Sequence, residues 1–355
     1  MAPQRDILIV GSVPLADAQA VFRGIAGALG ERVHRIPDGE TGARINWIES
    51  QSPVFDGHPM FELARQDEAK DFDWRNRQAG EKWKLKPWHA LKPGADAGKL
   101  AFGPLGYAQA AIESFGIFSR LKSEKVIPAA CRFQVSLPTP YNVIDQRIVP
   151  AQRLLVEPAY ERRMLQDLDE MAAAIPAQEL AIQWDTAHEI QNLDGGRLHW
   201  FDNPEQGIIE RLVRLGAHIP RGVELGYHLC YGDFAHKHFI EPKDMGTLVR
   251  LANALAANLK RRIDWIHMPV PINRHDDAYF APLRALKLQP ATRLYLGLIH
   301  FTDGVEGSRR RLAAARNFIE DFGVATECGF GRRAPETIAQ LLKIHADVAD
   351  DKVLA

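Results

Sequence analysis

Cysteine is scarce in this chain: 355 residues carry three, Cys131, Cys230 and Cys328. So few thiols exclude a disulfide-stapled scaffold and fit a reducing, cytoplasmic compartment. Long apolar runs are missing as well. Nothing approaches the roughly eighteen apolar residues of a membrane span. The N-terminus, Met1-Ala2-Pro3-Gln4-Arg5-Asp6, leads straight into an apolar strand without the apolar region of a signal peptide. An excess of either charge is absent, since 44 Lys and Arg face 45 Asp and Glu. A net charge of -1 gives neither nucleic acid nor an anionic membrane a field to follow. Phosphate and dinucleotide signatures are lacking too. Gly11-Ser12-Val13-Pro14 is too short for a Gly-x-Gly-x-x-Gly loop, and no Gly-x-Ser-x-Gly, phosphate loop or His-Glu-x-x-His occurs. These exclusions leave a small-molecule substrate as the expected partner.

Hydrophobic residues make up 46% of the chain and charged residues 25%, an ordinary globular make-up. The length suits one large α/β barrel or two smaller domains. Short β-branched and aliphatic runs at 6–12, 33–37, 131–137, 180–185, 223–230, 264–270, 293–300 and 324–328 read as strands. Helical spacing fills most intervals, at 14–29, 150–175, 204–215, 242–259, 305–322 and 335–348. Gly30 and Gly216 follow two of these as stop signals. Eight strands alternating with helices predict a parallel sheet, and eight is the count of a closed (β/α)8 TIM-type barrel. A doubly wound open sheet is the other topology the pattern allows. The whole chain, 1–355, reads as that single barrel. One stretch breaks the rhythm: 38–130, between the second and third predicted strands, carries Trp47, Trp74, Trp83, Trp88 and several prolines. An insertion this long is expected to carry structure or function of its own. It reads as a lid over the barrel mouth, as a contact within a homo-oligomer, or as a surface loop with a small aromatic cluster.

Two of the three cysteines fall at the carboxyl end of a predicted strand, in Tyr227-His228-Leu229-Cys230-Tyr231 and Thr326-Glu327-Cys328-Gly329-Phe330. A barrel builds its active site at that end. Residues two apart in a strand face the same side, so His228 and Cys230 can offer a nitrogen and a sulfur to one ion. Alone, His-x-Cys also describes a buried cysteine beside a hydrogen-bonded histidine. Cys328, at a second strand end and followed by a glycine that lets backbone approach closely, turns the balance toward a metal. Imidazole with thiolates suits Zn2+. Cys131 begins a strand, at the opposite end, and reads as structural.

Other polar residues share the carboxyl end. Gln183 and Asp185 close the fourth predicted strand on one side, with Glu189 just beyond; a carboxylate there can bind a substrate amine or act as a base. Gly11 and Ser12 end the first strand, where a hydroxyl and N–H groups can hold a carboxylate. Asp38 opens the turn Asp38-Gly39-Glu40-Thr41-Gly42-Ala43-Arg44 and is a further candidate substrate contact. His300 ends the seventh strand beside Thr302 and Asp303 as a candidate proton donor. Glu327 should point away from Cys328. His236-Lys237-His238 and Arg309-Arg310-Arg311 read as solvated charge.

Val10-Gly11-Ser12-Val13-Pro14, Ile182-Gln183-Trp184-Asp185, His228-Leu229-Cys230-Tyr231 and Glu327-Cys328-Gly329 follow one another in the order and at similar spacing to segments of the catalytic barrel of cobalamin-independent methionine synthases. The chain resembles that superfamily over most of its length outside 38–130, and looks more like its shorter, single-barrel members. The resemblance implies that His228, Cys230 and Cys328 bind zinc. It implies that Gly11, Ser12 and Asp185 hold an amino-acid substrate. The family reaction moves a methyl group from a methyl-tetrahydrofolate to a thiol such as homocysteine, which zinc keeps as thiolate. Two departures stand out. Where the family's sixth strand ends in a glutamate that completes the zinc shell, this chain has Ile266-His267-Met268-Pro269-Val270. The position falls near Pro269, and His267, two residues earlier on the same face, could substitute as a metal ligand. Asp185 is also followed by Thr186-Ala187 in place of Glu-Pro.

The leading expectation is therefore a zinc-dependent methyl or alkyl transferase with a thiol acceptor, with Asp185 and His300 as candidate catalytic groups. A three-ligand zinc with an open position would also serve a lyase or hydrolase, with Asp185 or His300 moving protons. A barrel whose cysteines are merely buried, binding a small molecule or partner, is the remaining reading.

Overall fold

The computed structural model describes residues 5–64, 88–197, 199–232 and 240–350. Trp74 and Trp83 of the long insertion, and the 236–238 charge cluster, lie outside the described residues. In chain order the first half contains α1 (Ala18–Leu29), β1 (Arg35–Pro37), α2 (Ser52–Asp56), β2 (Phe61–Leu63), β3 (His89–Leu91), α3 (Tyr107–Ser123), β4 (Arg132–Pro138), α4 (Pro140–Arg147), α5 (Arg153–Ala174), β5 (Leu180–Thr186) and α6 (His188–Leu193). The second half contains α7 (Pro204–His218), β6 (Glu224–Leu229), α8 (Gly246–Asn258), β7 (Trp265–Pro269), α9 (Asp277–Phe280), β8 (Arg293–Ile299), α10 (Gly304–Arg316), β9 (Gly323–Thr326) and α11 (Ile338–Ala349). Among the described residues no helix is long and apolar enough to cross a membrane.

Seven of the eight apolar runs form one parallel sheet, in the order β1-β4-β5-β6-β7-β8-β9. The first run, 6–12, behaves differently. Only Ile7 makes ladder bridges, one parallel to Val33 and one parallel to Val324, so this segment touches both ends of the sheet. Further along it, the carbonyls turn to side chains instead of a neighbouring strand. Gln134 donates to the carbonyls of Ile9 and Val10 at 3.1 Å each. Gln183 donates to the Val10 carbonyl at 2.6 Å, and the Ser136 hydroxyl donates to the same carbonyl at 3.0 Å. Side-chain amides take the place of a ladder, which is why the expected strand is not a regular one.

Local sequence explains most helix ends. Asp17 caps α1 by accepting the Ala20 N–H at 2.8 Å, and Gly30, at φ 54°, ends it. Gly216 was expected to stop α7, but the helix runs on to His218. A Cβ at Gly216 would overlap the Tyr227 hydroxyl of β6; this glycine lets the helix lie close to the sheet. Within 38–130 lies structure that the apolar pattern did not announce: short 3-10 turns and α2, the antiparallel pair β2–β3, and helix α3. Phe118 of α3 meets Phe22 of α1 edge-on at 5.4 Å and lies 5.6 Å from Phe133 of β4. α3 thus packs as a sheet-covering helix.

Most apolar side chains fill the core between the sheet and its helices. The opposite face holds a smaller cluster, Leu8, Val10, Ala181, Trp265, Tyr295 and Ala325. Trp265 anchors it. The Arg35 guanidinium lies 4.1 Å over its ring and pairs with Glu224 at 2.5 Å, and the indole N–H donates to Gln183 at 3.2 Å. Cys131 is buried at the start of β4, and burial pushes its thiol up to about 12, an inert group. Gly226 makes room for the indole of Trp265, since any Cβ there would overlap it. Gly226→Ala should therefore cost about 1–3 kcal/mol, seen as a lower denaturation midpoint with an unchanged dependence on denaturant.

Candidate metal centre

Strand β6 carries His228 and, just past its end, Cys230, whose N–H donates to the Thr186 carbonyl at 2.8 Å. Strand β9 ends at Thr326, and its hydroxyl donates to the Cys328 carbonyl at 2.7 Å, shaping the turn that carries the second sulfur. One imidazole nitrogen of His228 and the two sulfurs lie within 4.8 Å of one another. The sulfurs are 3.9 Å apart. A tetrahedral zinc with bonds of about 2.3 Å to sulfur spans roughly 3.8 Å between two thiolates, so the spacing fits. The Gly232 N–H donates to the Cys230 sulfur at 3.2 Å, which favours thiolate over thiol. Nε2 of His228 is buried with no hydrogen-bond partner among the described residues. A buried orphan nitrogen is costly, and coordination to an ion would satisfy it. The donor set and its geometry fit zinc.

His267 stands beside His228 in register on β7, but it does not join the donor group. Its Nδ1 lies 2.7 Å from Nδ1 of His228 and its Nε2 donates to the Thr326 carbonyl at 2.9 Å. Both of its ring nitrogens are engaged by protein partners, and it stands behind His228. Burial holds both imidazoles well below the usual range, with His267 at about 3. Gly297 of β8, which the sequence did not single out, makes this contact possible. A Cβ there would sit 2.7 Å from both His267 Nε2 and the Thr326 oxygen. His300 is buried; its Nε2 donates to the Val270 carbonyl at 2.8 Å and its Nδ1 faces Glu327 at 3.6 Å. It is not among the residues that line the pocket over the sulfurs.

That pocket, about 470 Å³ and open to solvent, is lined by the three donors together with Gly11, Ser12, Glu40, Trp47, Asp185 and Arg332, among others. Gly329 presses close to Ser12, whose carbonyl accepts the Phe330 N–H at 2.6 Å. The first segment and the last strand's exit loop thus meet beside the sulfurs. Asp185 reaches the pocket, oriented by the Gln183 amide at 2.8 Å. Gln183 itself is buried behind it, a support and not a wall. Sequence reasoning passes over Glu40, which sits in the glycine-rich turn after β1 and lines the pocket. Gly39 and Gly42, at φ 81° and 67°, bracket it, and Glu40 itself adopts φ 51°, a conformation that L-residues avoid and that marks functional turns. Asp38 is not among the residues that line this pocket. It accepts from Arg44 at 2.6 Å, Ser114 at 2.7 Å and the Glu40 N–H at 2.9 Å, so it braces the turn. Glu189 is buried under the site, bonded to Thr139, to Asn142 at 3.0 Å and to the Ala187 N–H at 3.2 Å. Burial lifts it to about 7.

No protein-family model and no curated protein matches the sequence. Solved structures are similar in fold. A B12-independent methionine synthase of a Shewanella species, in complex with selenomethionine, aligns over 98% of this chain and 97% of its own, at 14% identity and a TM-score of 0.58. A candidate vitamin-B12-independent methionine synthase of Listeria monocytogenes aligns over 98% of this chain and 99% of its own, at 12% identity and a TM-score of 0.56. The chain shares their fold.

Two acids dominate the electrostatics of the pocket. Burial raises Asp185 well above the carboxylate range, and the charges of Glu40 and Cys328 add to this while Gln183 opposes it. Burial, then Asp38, raises Glu40 to about 8 against the pull of Arg44 and Arg332. A carboxyl whose pKa rises on folding holds its proton more tightly when folded. Stability is therefore lost as pH climbs from the unfolded value, 4.5, to about 8. Glu40→Gln cannot ionise. Its stability relative to wild type, measured by denaturation of ligand-free protein, should rise steadily between those two pH values and be flat below them.

Proposed function

We propose that this protein is a zinc-dependent methyl or alkyl transferase with a thiol acceptor, built on a closed (β/α)8 barrel in which 38–130 is an insertion. Ile7, bridged to Val33 at one end of the sheet and Val324 at the other, supports closure. The observation that carries the functional reading is the convergence of His228, Cys230 and Cys328 within 4.8 Å, with a buried unpartnered nitrogen on His228. Zinc, when bound by these three residues, would supply a Lewis acid that keeps an incoming thiol ionised at neutral pH.

The chain's own residues then have distinct tasks. Asp185 and Glu40 take the ammonium of an amino-acid thiol, and its charge keeps both acids ionised. Gly11 and Ser12, held against Gly329, receive the carboxylate end. Gln183 keeps Asp185 aimed. With amine and carboxylate fixed, the side-chain sulfur is presented toward Cys230 and Cys328, where orientation replaces a bimolecular search. Homocysteine is such a substrate. Selenomethionine, which the Shewanella protein holds, is the selenium form of the product that methyl transfer to homocysteine gives. A methyl-tetrahydrofolate is the proposed donor. The compartment is the cytoplasm, in line with the scarcity of cysteine.

Only three donors belong to the candidate metal group among the described residues. The same centre could thus act on a substrate without a thiol, as a lyase or hydrolase. Adding homocysteine to cobalt-loaded protein separates the readings: thiolate-to-cobalt absorption above that of the two cysteines supports transfer, and an unchanged spectrum with turnover of a thiol-free substrate supports the alternative. Metal analysis tests the centre itself. Wild type purified without chelator should hold about one zinc per chain, while Cys230→Ser and Cys328→Ser should lose most of it with unchanged circular dichroism. Zinc far below one per chain, with none taken up on supply, overturns the reading. Asp185→Asn should keep the metal and lower kcat/KM for the amino-acid thiol by about 10–100-fold.

A further inference from the structure

The hydrogen bonds behind His228 decide which of its nitrogens can meet a metal. His267 Nε2 lies 2.9 Å from the Thr326 carbonyl oxygen. That oxygen only accepts, so Nε2 carries the hydrogen, and in a neutral ring Nδ1 is then bare. The bare nitrogen sits 2.7 Å from Nδ1 of His228, a separation that requires one hydrogen between them. His228 must supply it. The remaining nitrogen, Nε2, is left as a lone pair, and it is the buried atom without a hydrogen-bond partner among the described residues.

We propose that His267 is the positioning residue of the metal centre: it accepts the Nδ1 hydrogen of His228, locks that ring in the tautomer with Nε2 bare, and anchors it to the Thr326 carbonyl. This rests on the zinc reading above. The chain of contacts crosses three strands. It starts on β6 with a ligand, passes through β7, and ends on β9 two residues before the second ligand-bearing turn, whose Cys328 carbonyl is held by the same Thr326. Movement of either ligand therefore strains the bond that orients the other. A metal-bound histidine depends on such a partner for both ring orientation and basicity. The protein's donor set is then one imidazole and two thiolates, and the fourth position belongs to the substrate.

Gly297 provides an independent handle. A Cβ there would wedge between His267 Nε2 and the Thr326 oxygen, 2.7 Å from each, and disturb the relay without altering either partner. The experiment measures zinc affinity of the full chain by competition with a chromophoric chelator. His267→Gln keeps an acceptor for His228 and a donor for Thr326, and should stay within a few-fold of wild type. His267→Leu keeps neither and should bind about 10–100-fold more weakly. Gly297→Ala should shift in the same direction as Leu. X-ray absorption of the wild-type zinc protein should count one imidazole. Two imidazoles, or a Gln variant as weak as Leu, would make His267 a ligand and overturn the proposal. A Leu variant that binds like wild type would also overturn it, because His267 would then position nothing. Should His267→Leu fail to fold by circular dichroism, the Gln and Gly297→Ala pair decides. Failure of the zinc reading itself is separate: it shows as a wild type that takes up no metal.

Discussion

Backbone hydrogen bonding between β5, β6 and β7 holds Asp185, His228 and His267 opposite one another at one height of the sheet. Paired residues of a parallel ladder face the same side, and the side alternates with every step. The one register therefore brings an acid, a candidate ligand and its hydrogen-bond partner to one wall, and sends Trp184, Tyr227 and Ile266 into the helix-facing core. A slip of one residue would exchange these sets. Burying Trp184, Tyr227 and Ile266 is worth several kcal/mol, so the apolar face enforces the register from which the polar face profits.

The polar face has no comparable driving force of its own. It is kept in place by satisfied hydrogen bonds. Gln183 touches Val10, Asp185 and Trp265, and so links the first segment, the pocket acid and the packed layer beneath it. Gln134 does similar work for Ile9 and Val10. Two amides thus hold the backbone carbonyls just ahead of Gly11 and Ser12. Asp185 and Glu40 remain costly, because both are buried acids close to each other.

Much of the fold was legible in the pattern. Apolar runs bounded by turn residues marked seven strands of the sheet to within a residue or two, because most of their residues are buried and read as continuous stretches. The 38–130 region was harder. α3 is moderately amphipathic and polar at many positions, and β2 and β3 have three residues each, too few for a period to show. Cys230, His228 and Cys328 were legible as a candidate set because thiols are rare here and two ended strands. Glu40 was hidden, since an acid in a glycine-rich turn looks like any solvated turn until its backbone direction is known. His267 was legible as a residue of this wall, but its hydrogen-bond partners were not. Alternation gives the face of a side chain and not the atom it meets.

The sequence by itself determined the strand faces, the order of the elements, the inert position of Cys131 and the chemistry of the donors. Those follow from side-chain period and residue type, which are local properties. Only the tertiary structure decided that sulfurs 98 residues apart lie 3.9 Å from one another, that Glu40 turns toward Asp185, and that His267 meets a ring nitrogen and a carbonyl. Distances between segments remote in sequence depend on how the whole sheet curls and on which side chains leave room, as Gly226 does for Trp265 and Gly297 for His267. No local pattern contains that information.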